Sequence, residues 1–499
     1  MANPSQQIVQ KLLSYGNILR DDGLSYPDYV EQITYLLFLK MIDEKENISS
    51  RDSSILSKEY SWRSLVSGGG VDLQIQYGRI LGRLAGRTGI VGVIFRQAEN
   101  KIRDPAKLEL LVLDIIDKEN WSTLDNNVMG EVYEGLLERY AQDTKSGAGR
   151  YFTPRSLINA IVQCVRPQPG ETIFDPACET GGFLLAAHKF ILDTNPDLTK
   201  KQAQHLQLRA IRGVESAPAV ARLAAMNFLL HGIGPLEDEE GKSPIVTADS
   251  LTADAGGRYD VILTNPPFGK KSGTTIFNEA GERKSQPLRI VRDDFLAVTS
   301  NRQLNFLQLI RTALNEKGRA AVVVPDNVLF EGGAGEIIRR RLFEDYDVHT
   351  LLRLPPGIFY AQGVRTSVVF FDNPPPADKP LTKKLWVYDL RTNRHFTLRN
   401  KRLESSDLEE FVGCYNASSR QSRKATWSKR TPHGRWRVFT YDELAERDKF
   451  NLDIFWIEDD SLNGCDALPA PTKITPEITD DLRNALAQLE EIRSDFPER

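Results

Sequence analysis

The run Asn265-Pro266-Pro267-Phe268 carries the residue types best suited to chemistry in this chain. An exocyclic amino nitrogen on a nucleobase is a poor nucleophile, because its lone pair is delocalised into the ring. Two carbonyl acceptors binding its two N–H hydrogens pull it towards tetrahedral geometry and free the pair for attack. Asn265 offers a side-chain carbonyl, and Pro266 a main-chain carbonyl stiffened by its own ring and by Pro267. Phe268 supplies a face on which a base can stack. Two adjacent prolines between an Asn and an aromatic are rare enough to favour this reading over an ordinary Pro-rich turn.

The element that must hold the loop is Tyr259 to Thr264, a short, β-branched, mostly apolar run of the kind that fills a buried parallel strand. Proline cannot continue the ladder, so Asn265 to Phe268 form a loop at the strand's carboxyl end, where open α/β sheets bind ligands.

At 499 residues the chain is too long for one core, and two or three domains are expected. With 40% hydrophobic and 26% charged residues, it has the composition of a soluble globular protein. No apolar run approaches the roughly 18 residues of a membrane span. The start, MANPSQQIVQK, lacks the basic and apolar regions of a signal peptide. Cys164, Cys178, Cys414 and Cys465 are scattered without a C-x-x-C pair, which fits a reducing cytoplasm and argues against a structural zinc site. A net charge of −4 gives no global basic footprint, so nucleic-acid contact must be a local patch or be shared with a partner.

Residues 1–147 read as a helical domain for scaffolding or docking. Tyr29, Val30, Ile33, Leu36, Leu37 and Met41 recur at helical spacing, and Lys40, Asp43 and Glu44 bar that helix from a membrane. A domain spanning 148–460 follows. Thr153-Pro154 predicts a helix start with a hydroxyl cap, and Tyr151-Phe152 ahead of it can wall a pocket or serve as a hydrophobic staple. Thr172 to Phe174 predict a strand, Asp175 to Gly182 a turn and Phe183 to Ile191 a helix, with Gly181 and Gly182 letting a ligand approach the backbone. The spacing is not G-x-G-x-x-G, which disfavours a dinucleotide.

Glu215 ends the next strand, where it can accept hydrogen bonds from ribose hydroxyls, and Asp249 ends a third, where it can bind an adenine amino group; either acid can also be a helix cap. Lys270 to Arg292 are polar and basic, as in a mobile loop that closes over substrate or DNA, or in a surface insertion. Strands ending at Pro325 and in VHTLLRLP and TSVVFFDN complete one doubly wound, mostly parallel sheet. Arg420 to Arg437 hold seven Lys or Arg with Trp427 and Trp436, either a nucleic-acid surface or a solvated linker. In the tail, 461–499, Ile478, Leu482, Ala485, Leu489 and Ile492 predict a helix that packs against a partner helix.

Taken together, GLSYPDYVEQITYLLFLKM, SGAGRYFTPRSL, DPACETGGFL, the N-P-P-F loop, GRAAVVVPDNVLFEGG and LPPGIFYAQGVRTSVVFF resemble the modification (M) subunits of type I restriction-modification systems. These are adenine-N6 DNA methyltransferases that use S-adenosyl-L-methionine. The motif order matches the γ arrangement, and the resemblance runs nearly end to end. It implies that Tyr151, Phe152, Thr153, Pro154, Arg155 and Ser156 lie along the cofactor. Asp175, Pro176, Ala177, Thr180, Gly181 and Gly182 would surround its methionine moiety, with Glu215 on the ribose and Asp249 at the adenine. Asn265 and the Pro266 carbonyl, backed by Pro267, would hold the amino group of an adenine flipped from double-stranded DNA, with Phe268 stacked on it. Direct in-line methyl transfer without metal is implied. So are a specificity (S) subunit, a second M subunit and a restriction (R) subunit in the full complex.

One residue departs from that pattern. The family's turn reads D-P-A-x-G-T-x-G, and Glu179 stands where its first glycine is expected. A Glu there adds bulk, charge and, if the position needs φ > 0, strain. Two other functions therefore stand beside catalysis: a cofactor-impaired subunit that clamps DNA beside its specificity partner, and a methylase acting on another amino or amide group.

Overall fold

Residues that alternate along one buried strand must serve two different faces, and this rule organises the molecule. Val261 and Leu263 enter one core and Ile262 another on the opposite side of the sheet, and an irregularity between Tyr259 and Val261 puts Tyr259 on the side of Ile262. The computed structural model describes residues 4–20, 23–48, 56–119, 130, 132–138, 153–235, 243–252, 256–268, 273–277, 283–287, 289–359, 365–378, 380–394, 396–397 and 401–458.

Nine strands form the sheet: β1 (Ile173–Asp175), β2 (Ile211–Glu215), β3 (Ile245–Thr247), β4 (Tyr259–Thr264), β7 (Leu314–Pro325), β8 (Asp347–Leu354), β9 (Thr366–Asp372), β10 (Lys384–Asp389) and β11 (Trp436–Thr440). Their order is β11-β10-β8-β9-β7-β4-β1-β2-β3. The pairs from β3 across to β7 are parallel, as is β10 with β8, while β9 runs antiparallel to both its neighbours and β11 to β10. The helices Arg155–Val165 and Gly182–Thr194 cover one face, and Arg302–Ala313 and Ala334–Asp345 the other. This is the expected doubly wound, mostly parallel sheet.

The remaining two strands, β5 (Gly273–Phe277) and β6 (Arg283–Pro287), pair antiparallel in a separate ribbon. The stretch expected as a loop or insertion therefore contains a hairpin. Thr274, Thr275, Ile276 and Phe277 have the β-branched and aromatic character that favours a strand, despite the basic residues around them.

The N-terminal residues are helical as expected. In the helix Tyr26–Ile48, Tyr29, Val30, Ile33, Leu36, Leu37 and Met41 are all buried. Lys40 leaves the apolar face to pair with Asp117 at 2.8 Å and Glu44 at 3.3 Å. The helices Tyr26–Ile48 and Gly89–Phe95 pack against Pro218–Leu230, the helix that follows β2. Arg222 fastens that contact. It is 5% exposed, pairs with Glu31, and donates to the carbonyls of Ile94 and Arg96, each at 2.7 Å.

The basic segment 420–437 is committed largely to its own fold. Arg420 pairs with Asp372, and buried Arg423 donates to the Tyr415 carbonyl and the Thr350 hydroxyl. Arg435 donates to the Asp389 and Thr392 carbonyls, Arg437 lies 3.7 Å over the Trp427 ring, and Trp436 is fully buried. Only Lys424, Lys429 and Arg430 of the seven are exposed, so most of the segment's charge is not available as a surface for nucleic acid. Among the described residues no helix is long and apolar enough to cross a membrane. The partner helix expected at 478–492 lies outside the described residues.

Removing one partner of a buried ion pair leaves the other charge desolvated, which costs about 3–5 kcal/mol. Arg222→Ala is therefore expected to lower the urea midpoint for loss of helical structure far more than Lys118→Ala, whose pair with Asp114 is exposed. Equal midpoints would show that the Arg222 contact does not hold the helical region to the sheet.

Candidate active site

β1 and β4 are adjacent and parallel, with Ile173 opposite Val261 and Phe174 opposite Ile262, so their carboxyl ends emerge side by side. The glycine turn leaves one and the N-P-P-F loop the other. A buried hydrogen bond joins them: the Thr264 hydroxyl donates to Asp175 Oδ1 at 2.5 Å. The same carboxylate oxygen accepts the Ala177 N–H at 3.0 Å, closing the first bend of the turn. Burial raises the Asp175 carboxyl to about 7 against the two hydrogen bonds, and nearby Glu215 pushes in the same direction.

The turn is held from three sides. Asn227, fully buried on Pro218–Leu230, donates Nδ2 to the Thr180 carbonyl at 3.0 Å. Ser250, just past β3, donates to the Pro176 carbonyl at 2.5 Å. Gly181 sits at φ 87°, where a Cβ would lie 2.3 Å from the Phe228 ring, so only glycine fits.

The N-P-P-F loop is fixed by neighbours distant in sequence. Asn265, 4% exposed, donates Nδ2 to the Thr153 hydroxyl at 2.8 Å. Gln303, at the start of its helix, donates to the Pro267 carbonyl at 3.0 Å. Phe268 is buried and meets Phe359 edge-on, with ring centroids 5.7 Å apart.

The segment expected along the cofactor divides its contacts. Thr153 is not a helix cap: the helix begins at Arg155 with Pro154 in the N-cap position, and the Thr153 hydroxyl is turned to Asn265 instead. The fixed proline φ of −54° defines the helix entry without a side-chain bond. Arg155 pairs with Glu134 and donates to the Gly182 carbonyl at 3.3 Å, linking the helical region to the glycine turn. Ser156 donates to the Leu403 carbonyl at 2.6 Å. Tyr151 and Phe152 lie outside the described residues.

Thr153, Arg155, Asp175, Ala177, Glu179, Thr180, Gly182 and Asn265 all border one cavity of about 20 Å³, room for little more than a water. A cavity of about 630 Å³ adjoins it, with Arg155 and Thr180 lining both, and falls in the size range of small-molecule sites. Glu215 and Asp249 border neither. Glu215 accepts the Ala217 N–H at 2.7 Å, in the turn ahead of the helix Pro218–Leu230, and also bonds the Glu179 backbone N–H. Asp249 accepts the Leu251 N–H at 3.1 Å and lies 3.4 Å from Arg302.

Glu179 has φ 49°, the left-handed conformation that glycine adopts freely and other residues adopt at about 1–2 kcal/mol. Its half-buried carboxyl is raised to about 8 by desolvation and by the charges of Glu215 and Asp175. Gly181 and Gly182 are thus required by the packing of Phe228 and Ile158 against the turn, while Glu179 places a carboxyl on it from a left-handed backbone position.

Sequence reasoning missed Asn227, Ser250, Gln303 and Arg302. Asn227 alone had a signal, as the single amide in the apolar run LAAMNFLL. Among the described residues no group of three or more His, Cys, Asp or Glu could hold a metal ion.

A doubly wound sheet that sets an Asn-Pro-Pro-Phe loop beside a glycine turn has the architecture of S-adenosylmethionine-dependent methyltransferases. The chain matches the N-6 DNA Methylase family over residues 124–454 and the HsdM N-terminal domain over 8–152. It is 37% identical to the type I restriction enzyme StySJI methylase subunit of Salmonella typhimurium, covering 97% of this chain and 94% of that one. The EcoKI methylase subunit of Escherichia coli is 36% identical with the same coverage. The crystal structure of the EcoKI M protein superposes with a TM-score of 0.54 at 31% identity, covering 99% of this chain and 97% of that one. A chain from a structure of a type I restriction-modification system reaches 0.71 at 26% identity over the whole of both chains. The chain belongs to the methylase subunits of type I restriction enzymes, which are adenine-specific DNA methyltransferases.

An acid with a raised pKa is neutral below it and charged above it, so Glu179 gains its charge as pH rises through about 8. Glu179→Gly is expected to bind S-adenosylmethionine at least about tenfold more tightly at pH 9, with a smaller gain at pH 6.5. Isothermal titration at both pH values checks this. Equal affinities of the two proteins at pH 9 would remove Glu179 as an obstacle.

Proposed function

We propose that this chain holds S-adenosylmethionine at the glycine turn and methylates N6 of an adenine flipped from double-stranded DNA. The carrying observation is that Asn265 and the turn that follows Asp175 border one cavity, joined beneath it by the Thr264–Asp175 bond.

S-adenosylmethionine, when bound, supplies an electrophilic methyl group on a sulfonium sulfur. Asp175 to Gly182 would hold its methionine moiety, Glu215 its ribose and Asp249 its adenine, with 151–156 alongside. The Asn265 Oδ1 and the Pro266 carbonyl accept the two N–H hydrogens of the target amine, so that its lone pair leaves the ring plane. Both acceptors are neutral and rigidly held, so they favour developing positive charge on nitrogen without reorganising. Phe268 and Phe359 would wall the flipped base.

The same proposal places the chain in the cytoplasm as an M subunit, beside a second M subunit, a specificity subunit that reads the DNA and a restriction subunit in the full complex. It divides the chain at 1–147, 148–460 and 461–499, the last carrying the partner-binding helix. The DNA-clamping subunit without catalysis and the methylase of another amino or amide group are not favoured by the family match.

Coexpression with the specificity subunit, followed by mapping of methylated adenines in host DNA, tests this reading. Wild-type complex is expected to modify one adenine pattern, and Asn265→Ala to abolish it while the subunits still co-purify. Retained modification in Asn265→Ala would remove Asn265 from the mechanism, and loss of assembly would show its role to be structural.

A further inference from the structure

An Asn side chain activates an amine only with its oxygen facing it. The two ends of the amide are nearly the same size, so a half-turn about the Cβ–Cγ bond would present an NH₂ group instead and repel the substrate. Something outside the N-P-P-F motif must therefore choose the orientation. Resting on the proposed role of Asn265, we propose that Thr153 is a positioning residue that sets the Asn265 amide and couples it to the cofactor site.

Thr153 and Asn265 are 6% and 4% exposed, and their hydrogen bond spans 2.8 Å. Because Nδ2 donates to Thr153 Oγ1, the planar amide carries its oxygen on the edge away from Thr153. The neighbours of Thr153 leave it little freedom to follow a flip. Pro154 fixes the next φ at −54°, and Arg155 is tied both to Glu134 and to the Gly182 carbonyl.

A hydroxyl alone could serve either amide orientation, donating to Oδ1 or accepting from Nδ2. What separates the two is where its hydrogen goes. Thr153 borders the cavity shared by Asp175, Glu179, Thr180 and Gly182. If the Thr153 hydroxyl gives its hydrogen to a cofactor atom reaching this small cavity, only its oxygen lone pair is left for Asn265, which commits Nδ2 to Thr153. Thr153 would in that way hold the Asn265 amide in the orientation that grips an amine when the cofactor site is filled.

The test uses the complex with the specificity subunit, Thr153→Val and Thr153→Ser. Three quantities are read: single-turnover methyl transfer at saturating S-adenosylmethionine, cofactor Kd by calorimetry, and fluorescence of 2-aminopurine placed at the target adenine, with and without cofactor. Thr153→Val is expected to lower the transfer rate at saturation by at least about tenfold and to lose the cofactor-dependent part of the 2-aminopurine signal. Thr153→Ser is expected to restore both. Thr153→Ala carries the same expectation as Thr153→Val should the valine variant not fold.

A variant whose Kd rises while its saturated rate is unchanged would reduce Thr153 to a cofactor contact and overturn the proposal. Equal loss in Thr153→Ser and Thr153→Val would assign it to packing and overturn it as well. Asn265→Ala separates the levels: if that variant still transfers methyl groups, the proposed role of Asn265 fails first, whereas a dead Asn265→Ala beside a normal Thr153→Val rejects the coupling alone.

Discussion

A single buried hydrogen bond, Thr264 hydroxyl to Asp175 carboxylate, joins the two loops on which the proposed function rests. It lies where neighbouring parallel strands end, so it fixes the distance between the glycine turn and the N-P-P-F loop, the proposed sites of the cofactor and of the amine. Other contacts depend on it. Ala177 closes onto the same carboxylate oxygen, Ser250 holds the Pro176 carbonyl, and Asn265 follows Thr264 directly in the chain. Burying a carboxylate without such donors would cost several kcal/mol, and the raised pKa of Asp175 shows that burial still outweighs them.

The same corner contains a conflict. Asp175, Glu179 and Glu215 crowd their carboxyl groups together, and Glu179 does so from a backbone conformation suited to glycine. The family match establishes a methyltransferase lineage, and the backbone at Glu179 is left-handed at φ 49°. With S-adenosylmethionine at this turn as proposed, the charge that Glu179 gains near pH 8 makes occupancy sensitive to pH. Arg155 and Arg222 each join the helical region to an element that touches the turn.

Much of this was legible in the sequence because it is local. Proline composition marked the end of β4, alternation marked the buried strands, and apolar spacing marked the helix Tyr26–Ile48. What escaped depends on contacts between distant positions. Thr153 and Asn265 are 112 residues apart, and a Thr before a Pro looks like a helix cap until its partner is seen. Gln303 lies 36 residues from the proline carbonyl it binds, with nothing in RQLNFLQ to announce it. The basic stretch 420–437 stayed open between a nucleic-acid surface and a linker for a related reason: guanidinium groups that look available for phosphate are used on Asp372, on backbone carbonyls and on aromatic rings. At residue 179 the glycine pattern raised a positive φ only as a condition, and the backbone meets it at 49°.

In the proposed reaction the end of β4 is pinned to the end of β1 by the Thr264–Asp175 bond. Thr264→Val keeps the side chain's shape and removes only the hydroxyl, so the most direct measurement is its single-turnover rate in the assembled complex, with cofactor and DNA both saturating. The account requires the rate to fall by at least about tenfold while both ligands still bind. A rate equal to wild type would mean that the loop and the turn find each other without this bond.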